Sequence, residues 1–221
     1  MEQSPFKVDK YYIKRVDADP KSIYCHHDIM GELLVPTHKH EKAQMPYAEG
    51  DVVFVTTETK SYFLPARHFI WIPAGLEHSI EPKSEHVMMR NLYFPVEENE
   101  DEFYKSEGIY PVNNLLLQMM LFTNRWNGDP EEGTPNFSIA KAIKAILPQI
   151  CPTNLPLELP QPKDKRLGKI LRHVENNLGE TILFSNVAHE FGYSERSLSR
   201  LFRKDLKMSF IQYYTIRRIL K

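Results

Sequence analysis

The run FSNVAHEFGYSERSLSRLF, from Phe184 to Phe202, constrains the fold more than any other part of the chain. Two short helices that cross steeply need apolar residues at fixed places, a small residue where their backbones approach, and a residue tolerant of positive φ between them. Val187 and Phe191 supply the inner side of the first helix, Ala188 the close approach and Gly192 the turn. Ser194 is placed to cap the second helix by accepting a bond from one of its free N–H groups. Leu198, Leu201 and Phe202 then fall on the inner side of that helix. Leu183 stands where a side-chain cap of the first helix would be expected, so packing must start that helix.

The outer face of the second helix carries chemistry. Arg196, Ser199, Arg200 and Arg203 are spaced i, i+3, i+4, i+7 and form one stripe opposite Leu198, Leu201 and Phe202. A major groove admits a single helix, and arginine is the side chain best matched to guanine O6 and N7. A three-helix packing unit with a charged outer face is the alternative reading; Gly192, Ala188 and the apolar positions together agree with the DNA-binding pattern. The stripe therefore points to DNA. Charge agrees: Lys163–Lys221 holds 13 basic and 6 acidic residues, whereas the rest of the chain holds 15 and 23. A basic half that meets a polyanion, joined to an acidic half that does not, gives such an asymmetry.

The chain's 221 residues suffice for one large or two small domains. Two cysteines, Cys25 and Cys151, make no disulfide framework and lack metal-ligand spacing. The start MEQSPFKVDK has no apolar stretch of signal-peptide type, and the greasiest segment, Leu115–Phe122, is interrupted by Gln118. A reduced, cytoplasmic protein with no membrane partner is expected.

Residues 1–95 read as a β domain: short apolar runs (GELLV, DVVFV, HFIWI, HVMMRNLYF) alternate with Pro, Gly and charged turns, as in a small barrel or sandwich. Residues 96–151 change character. An acidic connector precedes a helical period over Val112–Trp126, then a turn-rich loop and a second amphipathic helix over Phe137–Ile150. This pair either covers one face of the barrel or uses the stripe Leu115, Leu116, Met119, Phe122 and Trp126 as a dimer seam. Pro152, Pro156, Pro160 and Pro162 make 152–162 a semi-rigid linker. Residues 163–221 form the basic all-α domain, whose first helix is predicted over Lys165–Asn177.

The β half contains a polar constellation. His38 and His40 are two apart, so on a strand both point to the same side, here the barrel interior. His78 follows IPAG, where Pro73 and Gly75 enforce a turn that returns the next strand to the barrel mouth. Converging imidazoles can hold a divalent first-row metal, and Gln44 would complete the set as an uncharged, weaker ligand than a carboxylate. Histidines satisfied by backbone hydrogen bonds within an organic pocket fit the same pattern. Aromatic walls from Tyr47, Phe54, Trp71 and Tyr93 would line such a small-molecule site.

These residues resemble a known arrangement. The run VAHEFGYSERSLSRLFRKDLKMSFIQYYTIRRIL is similar to the DNA-binding domain of AraC/XylS-family regulators in its first-helix alanine, the GYS turn, L-x-R-L-F and M-S-F-x-x-Y. PTHKHEKAQMPYAEGDVVFV, WIPAGLEH and MMRNLYFP resemble the cupin sensor of one subgroup. The resemblance implies a ligand-responsive transcription regulator without catalytic residues. A cupin-like β-barrel would sense a small-molecule effector, a helical connector would often dimerise, and a helix-turn-helix would read double-stranded DNA. By position, Arg196, Ser199 and Arg200 match base-contacting places, while Arg203, Lys204 and Gln212 match or neighbour phosphate-contacting ones. Two departures stand out. Family domains hold two helix-turn-helix units joined by a long helix, and this sequence ends at Ile219-Leu220-Lys221 within that joining helix, as a truncated domain would. Asp205-Leu206-Lys207 replaces the usual glycine, so Lys207 needs a strained φ or a different turn. A metal-dependent cupin enzyme, and a short regulator that blocks a full-length relative by dimerising with it, are the alternative functions.

Overall fold

The computed structural model describes residues 13–30, 34–82, 84–97, 100–126, 128–151 and 153–219. Residues 1–12, Pro152 of the proline-rich segment, and Leu220 and Lys221 lie outside them. A short helix α1 (Ile13–Val16) leads into eight strands: β1 (Tyr24–Ile29), β2 (Val35–His38), β3 (Ala43–Glu49), β4 (Val53–Thr57), β5 (Lys60–Leu64), β6 (His68–Trp71), β7 (His78–Pro82) and β8 (Met88–Phe94). Then follow β9 (Gly108–Pro111), α2 (Asn114–Phe122), α3 (Pro135–Ile150), β10 (Glu158–Pro160), α4 (Lys165–Asn176), α5 (Phe184–Glu190), α6 (Glu195–Leu206) and α7 (Phe210–Ile219). The strands make two five-stranded sheets, ordered β1-β8-β3-β6-β9 and β10-β5-β4-β7-β2. The chain divides into two compact units, residues 1–55 with 64–157 and residues 56–63 with 158–221.

In the first unit, the central strands of the first sheet, β3, β6 and β8, are buried on both faces. Strand β3 is the clearest case, for six of its seven residues are buried. Ala43, Met45 and Tyr47 join Phe69, Trp71, Leu92 and Phe94 in one core with Leu116 and Met120 of α2 and Ile143 and Leu147 of α3. Gln44, on the alternate side, reaches His78 of the second sheet, so the sheets face each other across a polar interior. Each large apolar side chain buried under the helices contributes roughly 1.5–3 kcal/mol. Polar anchors fix their position. Trp71 Nε1 donates to the Tyr104 carbonyl at 3.0 Å, Tyr104 Oη donates to the Lys144 carbonyl, and Lys144 Nζ donates to the Pro95 carbonyl at 2.8 Å and pairs with Glu100.

Residues 96–151, read from sequence as a connector, thus belong to the same compact unit as the first sheet. The helical period over Val112–Trp126 is realised as α2, capped by Asn113, followed by a 3-10 turn at Thr123–Arg125. Pro135 starts α3 two residues before the expected Phe137, behind a Thr134 cap. Strand β9 was not expected. It pairs with β6 from His68↔Pro111 to Trp71↔Gly108, a nonlocal partner that no local periodicity reveals. The proline-rich linker also contains a strand, since β10 pairs with β5 (Glu158↔Tyr62, Leu159↔Ser61, Pro160↔Lys60). Proline tolerates such an edge position, where one face of the strand needs no N–H donor.

In the second unit, α4 buries Leu167, Ile170, Leu171 and Val174 on one face. Phe202 and Phe210 sit at its aromatic centre, in edge contact with each other and ringed by Phe184, Tyr213 and Tyr214. Among the described residues no helix is long and apolar enough to cross a membrane.

One titratable contact ties α2 to the first sheet. Thr123 Oγ1 donates to the Met120 carbonyl, which leaves His27 Nε2–H to donate to Thr123 Oγ1 at 3.0 Å. Burial, with Arg90 nearby, pushes the His27 imidazole down to about 4. The unfolded chain, titrating near 6.5, therefore binds more protons between these values. Stability present above pH ~6.5 should fall as pH drops toward ~4, by on the order of 2–3 kcal/mol. Urea unfolding across that window checks it: His27→Gln should flatten this part of the slope, and an unchanged slope would assign it elsewhere.

Candidate functional site

The histidine site is built by three local devices. Strand β2 ends at His38, and the chain turns so that His40 faces back toward it, ring centroids 5.9 Å apart. The IPAG turn uses Gly75 at φ +76°, and Gly75 N donates to the His40 carbonyl at 2.9 Å, which fastens that turn beside His40. Strand β7 then begins at His78, paired with His38, their rings 4.4 Å apart. One nitrogen from each of His38, His40 and His78 lies within 4.8 Å of the others.

The hydrogen bonds of these imidazoles are specific. Nδ1 of His38 faces the Pro36 carbonyl at 2.8 Å, Nδ1 of His40 faces the Lys42 carbonyl, and Nδ1 of His78 faces the Leu76 carbonyl at 2.8 Å. A carbonyl only accepts, so each Nδ1 carries the proton and each Nε2 a lone pair. Burial lowers the His38 imidazole and brings His78 down to about 3, which favours the neutral form of these two rings. Gln44 Nε2 donates to Asn91 Oδ1 and Tyr93 Oη, both at 2.9 Å, which turns Oε1 toward His40 Nε2 at 3.1 Å and His78 Nε2 at 3.0 Å. The Gln44 amide end and the three imidazole nitrogens thus converge on one point. A tetrahedral metal with bonds of about 2.0–2.1 Å places ligand atoms a little over ~3 Å apart, close to the Gln44–His separations, while the imidazole nitrogens lie within 4.8 Å of one another. Three imidazoles and an amide oxygen are a donor set that a divalent first-row metal accepts.

His38, His40, Gln44 and His78 are thus brought together, with Tyr93 beside them at 5.1 Å from the His40 ring. Tyr47 and Trp71 are not. Both lie on the opposite face of the first sheet, in the core beneath α2 and α3, and Trp71 spends its N–H on Tyr104. Alternation places them there, because Gln44 and Tyr47 are three residues apart on one strand. Two polar features of this unit escaped the sequence reading. Lys42 is fully buried, its Nζ donating to Ser22 Oγ at 2.8 Å with Asp129 at 3.9 Å, and Arg90 is held by both carboxylate oxygens of Glu49 at 3.1 Å.

The second site is the face of α6. Ser194 caps the helix by accepting from Ser197 N at 3.2 Å, Gly192 takes φ +73°, and Leu198 and Phe202 are fully buried. Leu183 makes no side-chain cap. Arg196, Arg200, Arg203 and Lys204 are all exposed and Ser199 is half-buried, so the stripe faces outward. Leu201 and Phe191 are only half-buried, less than the sequence pattern suggested. Lys207 ends α6 in the left-handed region, at φ 58° and ψ 17°, the strained option foreseen in the absence of glycine. Gln212 serves the fold itself, since its Oε1 accepts from Ser209 N at 2.8 Å while Ser209 Oγ accepts from Gln212 N at 3.2 Å. That reciprocal pair is a capping box at the start of α7.

No family model matches the chain. Among curated proteins it is similar to the HTH-type transcriptional regulator NimR of Escherichia coli K12, with 24% identity over 191 residues, covering 86% of this chain and 68% of the relative. Among solved structures, ToxT from Vibrio cholerae superposes over 89% of this chain and 99% of its own at 8% identity and a TM-score of 0.41. The AraC-like transcriptional activator CuxR does so over 90% and 73%, at 13% identity and the same TM-score. The curated relative and the motifs agree: this chain is similar to helix-turn-helix transcriptional regulators, and its C-terminal motifs resemble those of the AraC/XylS family.

Proposed function

We propose that this chain is a ligand-responsive transcription regulator in which α6 reads double-stranded DNA and the histidine site senses the effector. The outward stripe of Arg196, Ser199, Arg200 and Arg203 carries the first half of this reading, because an exposed arginine row on a capped, core-anchored helix serves no packing purpose. Similarity to a helix-turn-helix regulator supports it. The convergence of His38, His40 and His78 beside Gln44 supports the second half, with a divalent first-row metal as part of what the sensor holds. Nδ1–H bonds to main-chain carbonyls orient each ring and set its tautomer, as in protein metal sites generally.

Homodimerisation through α2 completes the proposal. Leu116 and Trp126 of the apolar stripe are buried, but Leu115 and Phe122 remain 58% and 43% exposed, with Leu121 beside them at 36%. An exposed apolar face on a helix whose other side is anchored suits a second copy of the same surface.

Three outcomes are expected. Arg200→Ala should weaken specific operator binding by roughly 1–3 kcal/mol, as loss of a bidentate base contact does, and Arg196→Ala should behave alike. Mobility shifts with an operator selected from random duplexes measure this, and unchanged specific affinity in the double variant would sink the assignment. Purified protein titrated with zinc or cobalt should bind one ion, and His40→Ala with His78→Ala should lose it by equilibrium dialysis. Equal uptake by that variant places the metal elsewhere. Sedimentation equilibrium should give a dimer that Leu115→Glu with Phe122→Glu converts to monomer, whereas a native monomer at micromolar concentration rules out the seam.

A further inference from the structure

Beside the arginine stripe, α6 borders an open hollow of about 530 Å³ that the DNA-reading residues alone do not explain. Arg166 of α4, Tyr193 of the turn, and Ser197, Arg200 and Lys204 of α6 line it, with Asp164 at its edge. Successive helical residues are rotated by about 100°. On that wheel Ser197, Leu201 and Lys204 cluster somewhat more than a third of a turn from the centre of the stripe Arg196, Ser199 and Arg203, and Arg200 stands between the two groups. A helix that points its stripe at base edges has the groove walls on its flanks, and those walls are phosphates.

The start of α4 is held against this flank by a specific tie. The Asp205 carboxylate of α6 accepts from Lys163 N at 2.9 Å and from Asp164 N at 3.1 Å. Asp164 in turn spends its own charge on the helix end, accepting from Arg166 N at 2.8 Å and Leu167 N at 3.3 Å. Those main-chain bonds hold its carboxyl below the usual range. Asp164 stays ionised beside Arg166 and Lys204, so it offsets one of the three positive charges that Arg166, Arg200 and Lys204 bring to the hollow, and an excess of positive charge remains there.

We infer that this hollow is a phosphate seat for one DNA strand, with Arg166 a backbone-contacting residue and Asp205 the positioning residue that keeps α4 beside α6. The inference rests on the reading of α6 as the DNA-reading helix and adds to it a contact from a different helix. Arg166, Lys204 and the Tyr193 hydroxyl would engage phosphate oxygens, while Arg200 bridges from the seat to the bases. Such contacts carry no sequence information; they fix register and contribute the salt-dependent share of affinity.

The test is fluorescence anisotropy of the full chain with a labelled duplex of scrambled sequence, across a range of KCl concentrations. Losing one phosphate contact lowers the slope of log K against log salt by about 0.9, which corresponds to about eightfold weaker binding at 0.1 M relative to 1 M salt. Arg166→Ala should show that loss and Arg166→Lys should largely restore it. Lys169→Ala removes an equal charge from the exposed side of α4, outside the hollow, and should leave the slope nearly unchanged. Equal effects of Arg166→Ala and Lys169→Ala would reduce the seat to net charge and overturn it. Asp205→Ala deletes a negative charge and would strengthen binding if charge alone mattered. A positioning role requires weaker binding with a lower slope, and stronger binding refutes it. Circular dichroism of each variant guards against misfolding. If Arg196→Ala and Arg200→Ala abolish operator binding while Arg166→Ala leaves the slope intact, the seat fails and the regulator reading stands. A chain with no salt-dependent affinity for duplex overturns both.

Discussion

The amide of Gln44 is the interaction on which the interior of the β unit depends. It lies on β3, fully buried, and touches Asn91 and Tyr93 of the neighbouring strand β8 and His40 and His78 across the interior. A buried amide has to place two donors and an acceptor, and each unmet group costs roughly 1–3 kcal/mol. Because Asn91 and Tyr93 take the donors, the oxygen faces the imidazoles, and the imidazoles have already committed their protons to main-chain carbonyls. The start of β7, with the IPAG turn before it, and the His40 segment after β2 converge on this shared amide.

Much of the helical unit was legible because its signals are local. Cap, turn and buried faces of α5 and α6 sit within twenty-odd residues, and the helical period sorts inward from outward without knowledge of anything distant. The histidines were readable for a related reason: His38 and His40 lie two apart, and the Pro-Gly turn before His78 is a local instruction. Tyr47 on β3 and Trp71 on β6 were misplaced because both strands are buried on both faces. With α2 and α3 covering the outer side, alternation no longer marks which face is interior, and an aromatic residue fits either. Strands β9 and β10 and the buried Lys42 depend on partners far along the chain, respectively β6, β5 and the Ser22–Asp129 pair, and leave no periodic trace.

Helix α6 divides its circumference among three duties. Leu198, Phe202 and Leu206 anchor it, Arg196, Ser199 and Arg203 face outward, and Ser197, Leu201 and Lys204 border the hollow shared with α4. Twelve residues suffice because the core requires only one side chain per turn, which leaves most of the surface for charge. The basic excess of residues 163–221 is thereby concentrated where packing does not oppose it.

The stretch from Glu158 to Lys165 has a mechanical consequence. Residues 158–160 are hydrogen-bonded as a strand to β5, Gln161 N donates to the Thr59 carbonyl at 2.8 Å, and the N–H groups of Lys163 and Asp164 end on Asp205. Only Pro162 intervenes, and its ring fixes φ. No slack remains between strand and helix. A segment with its contour used up transmits displacement as a strut does, whereas a flexible chain would absorb it as entropy. A shift at the β5 hairpin would then reach the first turn of α4, and the Asp205 tie on α6, without the loss that a tether of equal length imposes.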